Sequence, residues 1–164
     1  MNQVLVTVID RSRARFLILE GAQFPEHESG PNLLEQKNIL NPIQKLQGKE
    51  LWANVKPGRN QGSGGKAHAY NDRRENHVVE FERRFAQMIT REILDFTQSL
   101  NIQQVLLVAE PKILGIVRQE VIPVLPKNLQ IQDLPKDLCN HKPLEIHEHL
   151  ASYNLLPVRT IISN

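Results

Sequence analysis

The stretch Asn60-Gln61-Gly62-Ser63-Gly64-Gly65-Lys66-Ala67-His68, followed by Arg73 and Arg74, gathers residue types that bind phosphate. Lysine and arginine supply positive charge and N–H donors. Glycine at 62, 64 and 65 frees the backbone to follow an irregular partner surface, at an entropic cost when the segment orders. His68 and His77 add groups that titrate near neutral pH. Contact with an anion is the chemistry this set suggests, and a solvated, flexible loop is the competing reading. Nucleotide hydrolysis is disfavoured, because the GxxxxGK[ST] spacing is missing and Ala67 stands where a metal-binding hydroxyl belongs.

Arg11, Arg13 and Arg15 form a second basic element. Their guanidinium forks suit phosphate oxygens. They also suit a solvated hairpin turn that pairs with Asp10 or Glu20, and this second reading is the simpler one.

Other chemistries have less behind them. Ser63, His68 and Asp72 are the types of a nucleophilic triad, but no GxSxG elbow accompanies them. Cys139 has no identifiable activating partner and reads as a buried thiol. His147 and His149 lie two positions apart and would point to different sides of a helix. Glu145 and His149 would share a face, with His141 arriving from the preceding loop. Zinc needs three or four suitable ligands, so no metal is expected here, nor any cofactor.

The elements that must position these residues are legible in the apolar pattern. Val4–Ile9 and Ala14–Leu19 are β-rich runs around the polar turn Asp10-Arg11-Ser12-Arg13, which predicts a hairpin. Leu33–Leu40 is a weaker third strand. From Pro42 to Asn71 the periodicity fades into a long loop, a feature that compact domains keep chiefly for function. Asp72 and Glu75 have capping-box spacing. Val78, Phe81, Phe85, Ile89, Ile93, Phe96 and Leu100 then mark the apolar face of a long helix.

Gln104–Ala109 is continuously apolar after its first residue, as a central buried strand would be. Pro111 suits the first turn of a helix whose stripe is Ile113, Leu114, Val117 and Val121. Gly115 in that helix either packs closely on the sheet or weakens the helix. Leu129–Leu134 predicts another strand and Pro143–Tyr153 a last helix. Val158–Ile162 would add an edge strand or dock on the body. A helix between two such strands is the parallel crossover pattern. The expectation is one α/β domain over 1–164, a mixed sheet flanked by helices, with a flexible glycine-rich loop over 42–71.

Composition sets the outer bounds. The chain has 164 residues, 40% of them hydrophobic, enough for a packed core. A net charge of +2 does not by itself argue for nucleic acid, but the distribution is uneven. Lys56, Arg59, Lys66, Arg73 and Arg74 are opposed only by Asp72, whereas Asp133, Asp137, Glu145 and Glu148 fall in the C-terminal third. A single cysteine leaves no internal disulfide and fits a reducing compartment. No run is long enough to span a bilayer, and Met1-Asn2-Gln3 leads into a strand without the pattern of an export signal. No membrane partner and a cytoplasmic location are expected.

The order of several short motifs resembles bacterial proteins required for attachment to host cells. These in turn are similar to the middle domain of archaeal and eukaryotic peptide-chain release factors. The matching pieces are Asp10-Arg11-Ser12-Arg13-Ala14-Arg15, Phe85-Ala86, Val105-Leu106-Leu107-Val108-Ala109-Glu110-Pro111, Leu114-Gly115 with Arg118, and Lys136-Asp137-Leu138. The resemblance implies a mixed sheet with helices around it and a functional loop ahead of a long helix. Release factors carry Gly-Gly-Gln in that loop to promote peptidyl-tRNA hydrolysis. Here Gly64-Gly65-Lys66 stands in its place, which argues against peptide release and leaves contact with tRNA, rRNA or the ribosome open.

The expected function is therefore a non-catalytic RNA- or ribosome-binding module. Its candidate contacts are Arg11, Arg13, Gly62, Gly64, Gly65, Lys66, His68, Arg73 and Arg74. A structural or regulatory protein-interaction domain is the alternative, and an ester or phosphate hydrolase the third reading.

Overall fold

The computed structural model describes residues 3–42 and 83–162. The long loop and the start of the helix expected from Asp72, with Val78 and Phe81, lie outside them. The described elements are β1 (Val4–Ile9), β2 (Arg13–Glu20), β3 (Asn32–Leu40), α1 (83–100), β4 (Gln104–Val108), α2 (Pro111–Val121), β5 (Gln130–Leu134) and α3 (Pro143–Ser152). The strands form one sheet in the order β3-β2-β1-β4-β5. β2 runs antiparallel to both β1 and β3, while β1, β4 and β5 are parallel. The mixed sheet flanked by helices is as the sequence suggested.

Both faces of the sheet are covered, which is why its central strands read as unbroken apolar runs. Every residue of β1 is buried, as are Val105 to Val108 of β4. Alternation then divides the core in two. Leu5, Ile9, Phe16, Val105 and Leu107 face Phe85, Ile89 and Ile93 of α1 with Ile113, Val117 and Val121 of α2. Val4, Val6, Val8, Leu17, Leu19, Leu106 and Val108 face Ile146 and Leu150 of α3.

Each helix ends for a local reason. α1 stops at Asn101, whose φ of 53° is left-handed, a conformation asparagine tolerates better than most residues. Its last stripe position, Leu100, is 41% exposed and packs less than its spacing suggests. Phe96, one turn earlier, stacks on Phe16 at 5.5 Å between centroids. α2 begins on Pro111, whose missing N–H costs nothing at that position, and ends before Pro123. Gly115 lies on its exposed side, and an added Cβ there would meet nothing within 4 Å. Close packing on the sheet is therefore not its role, and the weaker helix is the surviving explanation.

Among the described residues the tail adds a single β-bridge. Thr160 exchanges backbone hydrogen bonds with Gly30, Thr160 N donating at 2.7 Å and Gly30 N at 3.1 Å. Val158 and Ile161 beside it remain 76% exposed.

Candidate nucleic-acid interface

Because β1, β3, β4 and β5 all run the same way, their carboxyl ends meet at one edge of the sheet. In open α/β sheets this edge, where the chain's path reverses across the sheet, is where ligands commonly bind. The turn after β1 is held firmly there. One oxygen of Asp10, Oδ1, accepts from Ser12 N at 2.8 Å, Ser12 Oγ at 3.0 Å and Arg13 N at 2.8 Å. Asn41, at the end of β3, donates from its backbone N to Ser12 O and from Nδ2 to Arg11 O, both at 2.8 Å. A short side chain that accepts from nearby backbone is what aspartate contributes to such turns.

The residues bounding the segment 43–82 come together at this edge. Arg11 and Asn41 line a small, largely apolar pocket with Phe85 and Ala86 of α1 and Ile113 of α2. Arg11 itself is exposed. The other expected contacts, Gly62, Gly64, Gly65, Lys66, His68, Arg73 and Arg74, lie outside the described residues, as do Ser63 and Asp72.

Arg13 and Arg15 turn out to be tied into the body. They share the parity of Leu17 and Leu19 and so point to the α3 face. Arg13 donates from Nη2 to Cys139 O and Asn140 Oδ1. Arg15 is buried. It donates from Nη1 to Cys139 O at 2.9 Å and His141 O at 2.6 Å, and pairs with Glu35 through two parallel bonds. The pairing expected with Asp10 or Glu20 is replaced, for Arg15, by one with Glu35 across the β2–β3 ladder. Hydrogen bonding from Arg15 holds the Glu35 carboxyl below the ordinary carboxylate range, against a smaller opposing effect of burial.

Cys139 is fully buried, as expected. Burial, reinforced by the charge of Asp10, pushes its thiol up to about 11. At neutral pH roughly one molecule in ten thousand would then be thiolate, too few for nucleophilic work. His147 is also buried, and its Nε2 must donate to Pro157 O at 2.8 Å, since a carbonyl only accepts.

His141, Glu145 and His149 do come together. His141 Nδ1 lies 3.8 Å from Glu145 Oε2, and the two imidazoles meet edge to face at 5.1 Å. Glu145 is committed to the helix start, accepting from Lys142 N at 3.0 Å, and this bond is the main cause of its lowered pKa. Among the described residues no group of three or more His, Cys, Asp or Glu is arranged to hold a metal ion, and no helix is long and apolar enough to cross a membrane.

Sequence reasoning missed Glu35 and the 139–141 turn as partners of the arginines. The one available signal was parity, since a charged Arg15 in phase with Leu17 and Leu19 on a buried strand demands a partner.

Comparison with known proteins gives a family match over most of the chain. The family model described as "Protein required for attachment to host cells" matches residues 5–150. No curated protein matches. Among solved structures, one titled "Archaeal protein" aligns over 93% of this chain at 12% identity with a TM-score of 0.39. The chain spans 38% of that protein's length.

Proposed function

The chain belongs to the family of proteins required for attachment to host cells, and from that premise we propose that it is a non-catalytic RNA- or ribosome-binding module. The observation that carries this reading is the meeting of Arg11, Asn41, Phe85 and Ala86 at the carboxyl edge of the sheet. Asn41 and Phe85, which flank the sequence segment containing Lys66, Arg73 and Arg74, lie where α/β sheets present ligand-binding loops. Its lysine and arginines would contact backbone phosphates and set register without reading sequence, with Gly62, Gly64 and Gly65 permitting close approach and His68 beside them.

The resemblance of its sequence motifs to release-factor middle domains, in which the corresponding loop acts on peptidyl-tRNA, would make tRNA, rRNA or the ribosome the partner. Lys66 in place of the release-factor glutamine supports binding without ester hydrolysis. Any role in host attachment would then be indirect.

In the basic turn, the side chain of Arg13 is bonded to Cys139 O and Asn140, and Arg11 is exposed at the carboxyl edge. A protein-interaction domain is the second reading. The exposed apolar side chains of Val158 and Ile161, which border an open groove with His147 and Ala151 of α3, favour it.

Co-sedimentation with ribosomes and with tRNA across a salt series separates the two. RNA binding predicts saturable association that weakens steeply as salt rises and is lost when Lys66, Arg73 and Arg74 are all changed to glutamine. Association that survives nuclease treatment and this triple substitution would favour the protein partner.

A further inference from the structure

Charge on the described body is distributed along the strand direction. The carboxyl edge of the sheet carries Arg11 after β1, Arg84 in the first described turn of α1 and Lys112 in the first turn of α2, all exposed. These residues fall at one edge because α1 leads antiparallel into β4, and because α2 leaves β4 where β1 ends. The pocket lined by Arg11, Phe85 and Ile113 confirms that the three elements meet there.

Among the described residues the acidic groups at this edge are Asp10, Glu110, Asp137 and, in the first turn of α3, Glu145. Asp10 is occupied by three hydrogen bonds within its own turn. Of the other described basic residues there, Arg13 is bonded to Cys139 O and Asn140 Oδ1, Arg83 faces Glu120 at 3.9 Å, Lys136 lies over the Tyr153 ring at 4.8 Å, and Lys142 is exposed at the start of α3. The opposite edge is different. There the turn after β2 presents Glu20, Glu26 and Glu28. Among the described residues its basic ones are Lys127 and Arg159, and the Arg159 guanidinium donates to Pro31 O and Asn32 Oδ1, neutral acceptors that leave its charge in place.

Lys112 also works against its own helix. A cation in the first turn opposes the helix dipole, and α2 has neither an acidic residue in that turn nor a side-chain cap. A mild local cost of this kind is tolerated where the charge serves a partner.

We infer that Arg84 and Lys112, together with Arg11, form a second phosphate-contacting surface on the rigid body, so that RNA lies across the carboxyl edge with the Glu20–Glu28 turn facing away. This rests on the proposed RNA-binding function and extends its footprint to residues outside the glycine-rich segment. The two edges of unlike charge would orient the protein during encounter, attracting a polyanion to one end and repelling it from the other.

The test is fluorescence anisotropy with fluorescein-labelled tRNA across a salt series, using the full chain and an Arg84→Gln/Lys112→Gln variant. Lys127→Gln, at the opposite edge, serves as the control. Each lost phosphate contact should reduce the slope of log K against log salt by about 0.7–0.9, so the double variant should lose roughly 1.5 and bind about tenfold more weakly at moderate salt. The Lys127→Gln variant should match wild type.

Unchanged binding by the double variant, with binding lost on changing Lys66, Arg73 and Arg74 to glutamine, would overturn this inference while leaving the proposed function intact. Equal weakening by Lys127→Gln would also overturn it, because the charge would then act without orientation. No tRNA binding by the wild-type chain would remove both. All three residues are exposed, so matching melting curves would establish that the fold is retained.

Discussion

Arg15 and Glu35 form a two-pronged ion pair, Nε to Oε2 at 2.9 Å and Nη2 to Oε1 at 2.7 Å, while the remaining nitrogen of the same guanidinium holds the carbonyls of Cys139 and His141. One side chain thus joins edge strand β3 to the turn before α3. The planar fork matches the carboxylate in a way that lysine would not. Replacing Arg15 with methionine would leave Glu35 without its partner and strip the two carbonyls of a donor. We expect a loss of about 3 kcal/mol, read as a fall in Tm of roughly 6–12 °C. A loss below about 1 kcal/mol in denaturant titration would mean that the clasp contributes little beyond what surface pairs do.

The same pair gives the protein an acid-sensitive element. The folded-state pKa of Glu35 lies below its ordinary value, chiefly through the Arg15 hydrogen bond. The unfolded state therefore takes up this proton first as pH falls. The stabilisation is complete above the unfolded carboxylate value of about 4.3 and is lost as pH falls through the lower folded value. Urea midpoints measured from pH 6 down to pH 3 should fall less steeply for Glu35→Gln than for wild type. Parallel curves would assign the acid sensitivity elsewhere.

Thr7 presents the opposite case, a hydroxyl on central strand β1 that is fully buried and whose Oγ1 has no hydrogen-bond partner. Desolvating a hydroxyl without compensation is costly. Thr7→Val keeps the shape and removes the polar atom, and should raise stability by about 1 kcal/mol in chemical denaturation. A destabilised variant would show that the hydroxyl contributes to packing or folding in a way its missing partner does not suggest.

Gly115 sits mid-helix with open space where a Cβ would go. Gly115→Ala should therefore stabilise α2 by roughly 0.5–1 kcal/mol, visible as a small rise in Tm. No gain would imply that the glycine is kept for an approach by another molecule on the exposed side of α2.

Cys139 should resist chemistry in the folded state. Its Sγ lies 3.7 Å from Val8 O, and burial holds the thiol up at about 11. Iodoacetamide at pH 7.5 should leave the native protein unmodified by mass spectrometry and label it fully in denaturant. Rapid labelling of the native chain would show that the 139–141 turn opens readily.

Much of the sheet was legible because burial leaves a clear mark on sequence. β1, β4 and the Phe16–Leu19 part of β2 are mostly apolar runs, and the stripe of α2 is buried at all four named positions, Ile113, Leu114, Val117 and Val121. β3 was fainter for a physical reason. It is an edge strand with Leu33 its only buried residue and a register shift where it faces Phe16 and Leu17, so its pattern is mostly polar. The arginine clasp was harder still. Arg15 and Cys139 are separated by 124 positions, and no local pattern announces a partner that distant. For the candidate interface, charge and glycine content drew attention to the segment, but only the strand directions show that its flanking residues emerge beside Arg11.

The proposed placement of RNA at the carboxyl edge is tested most directly by ultraviolet crosslinking of the full chain to tRNA and ribosomes, with the crosslinked peptides mapped by mass spectrometry. Crosslinks concentrated in peptides containing Arg11, Lys66 to Arg74 and Arg84, and suppressed by raised salt, are the expected result. Crosslinks confined to the Glu20–Glu28 turn and the 157–162 tail, or none above a control protein of similar charge, would contradict it.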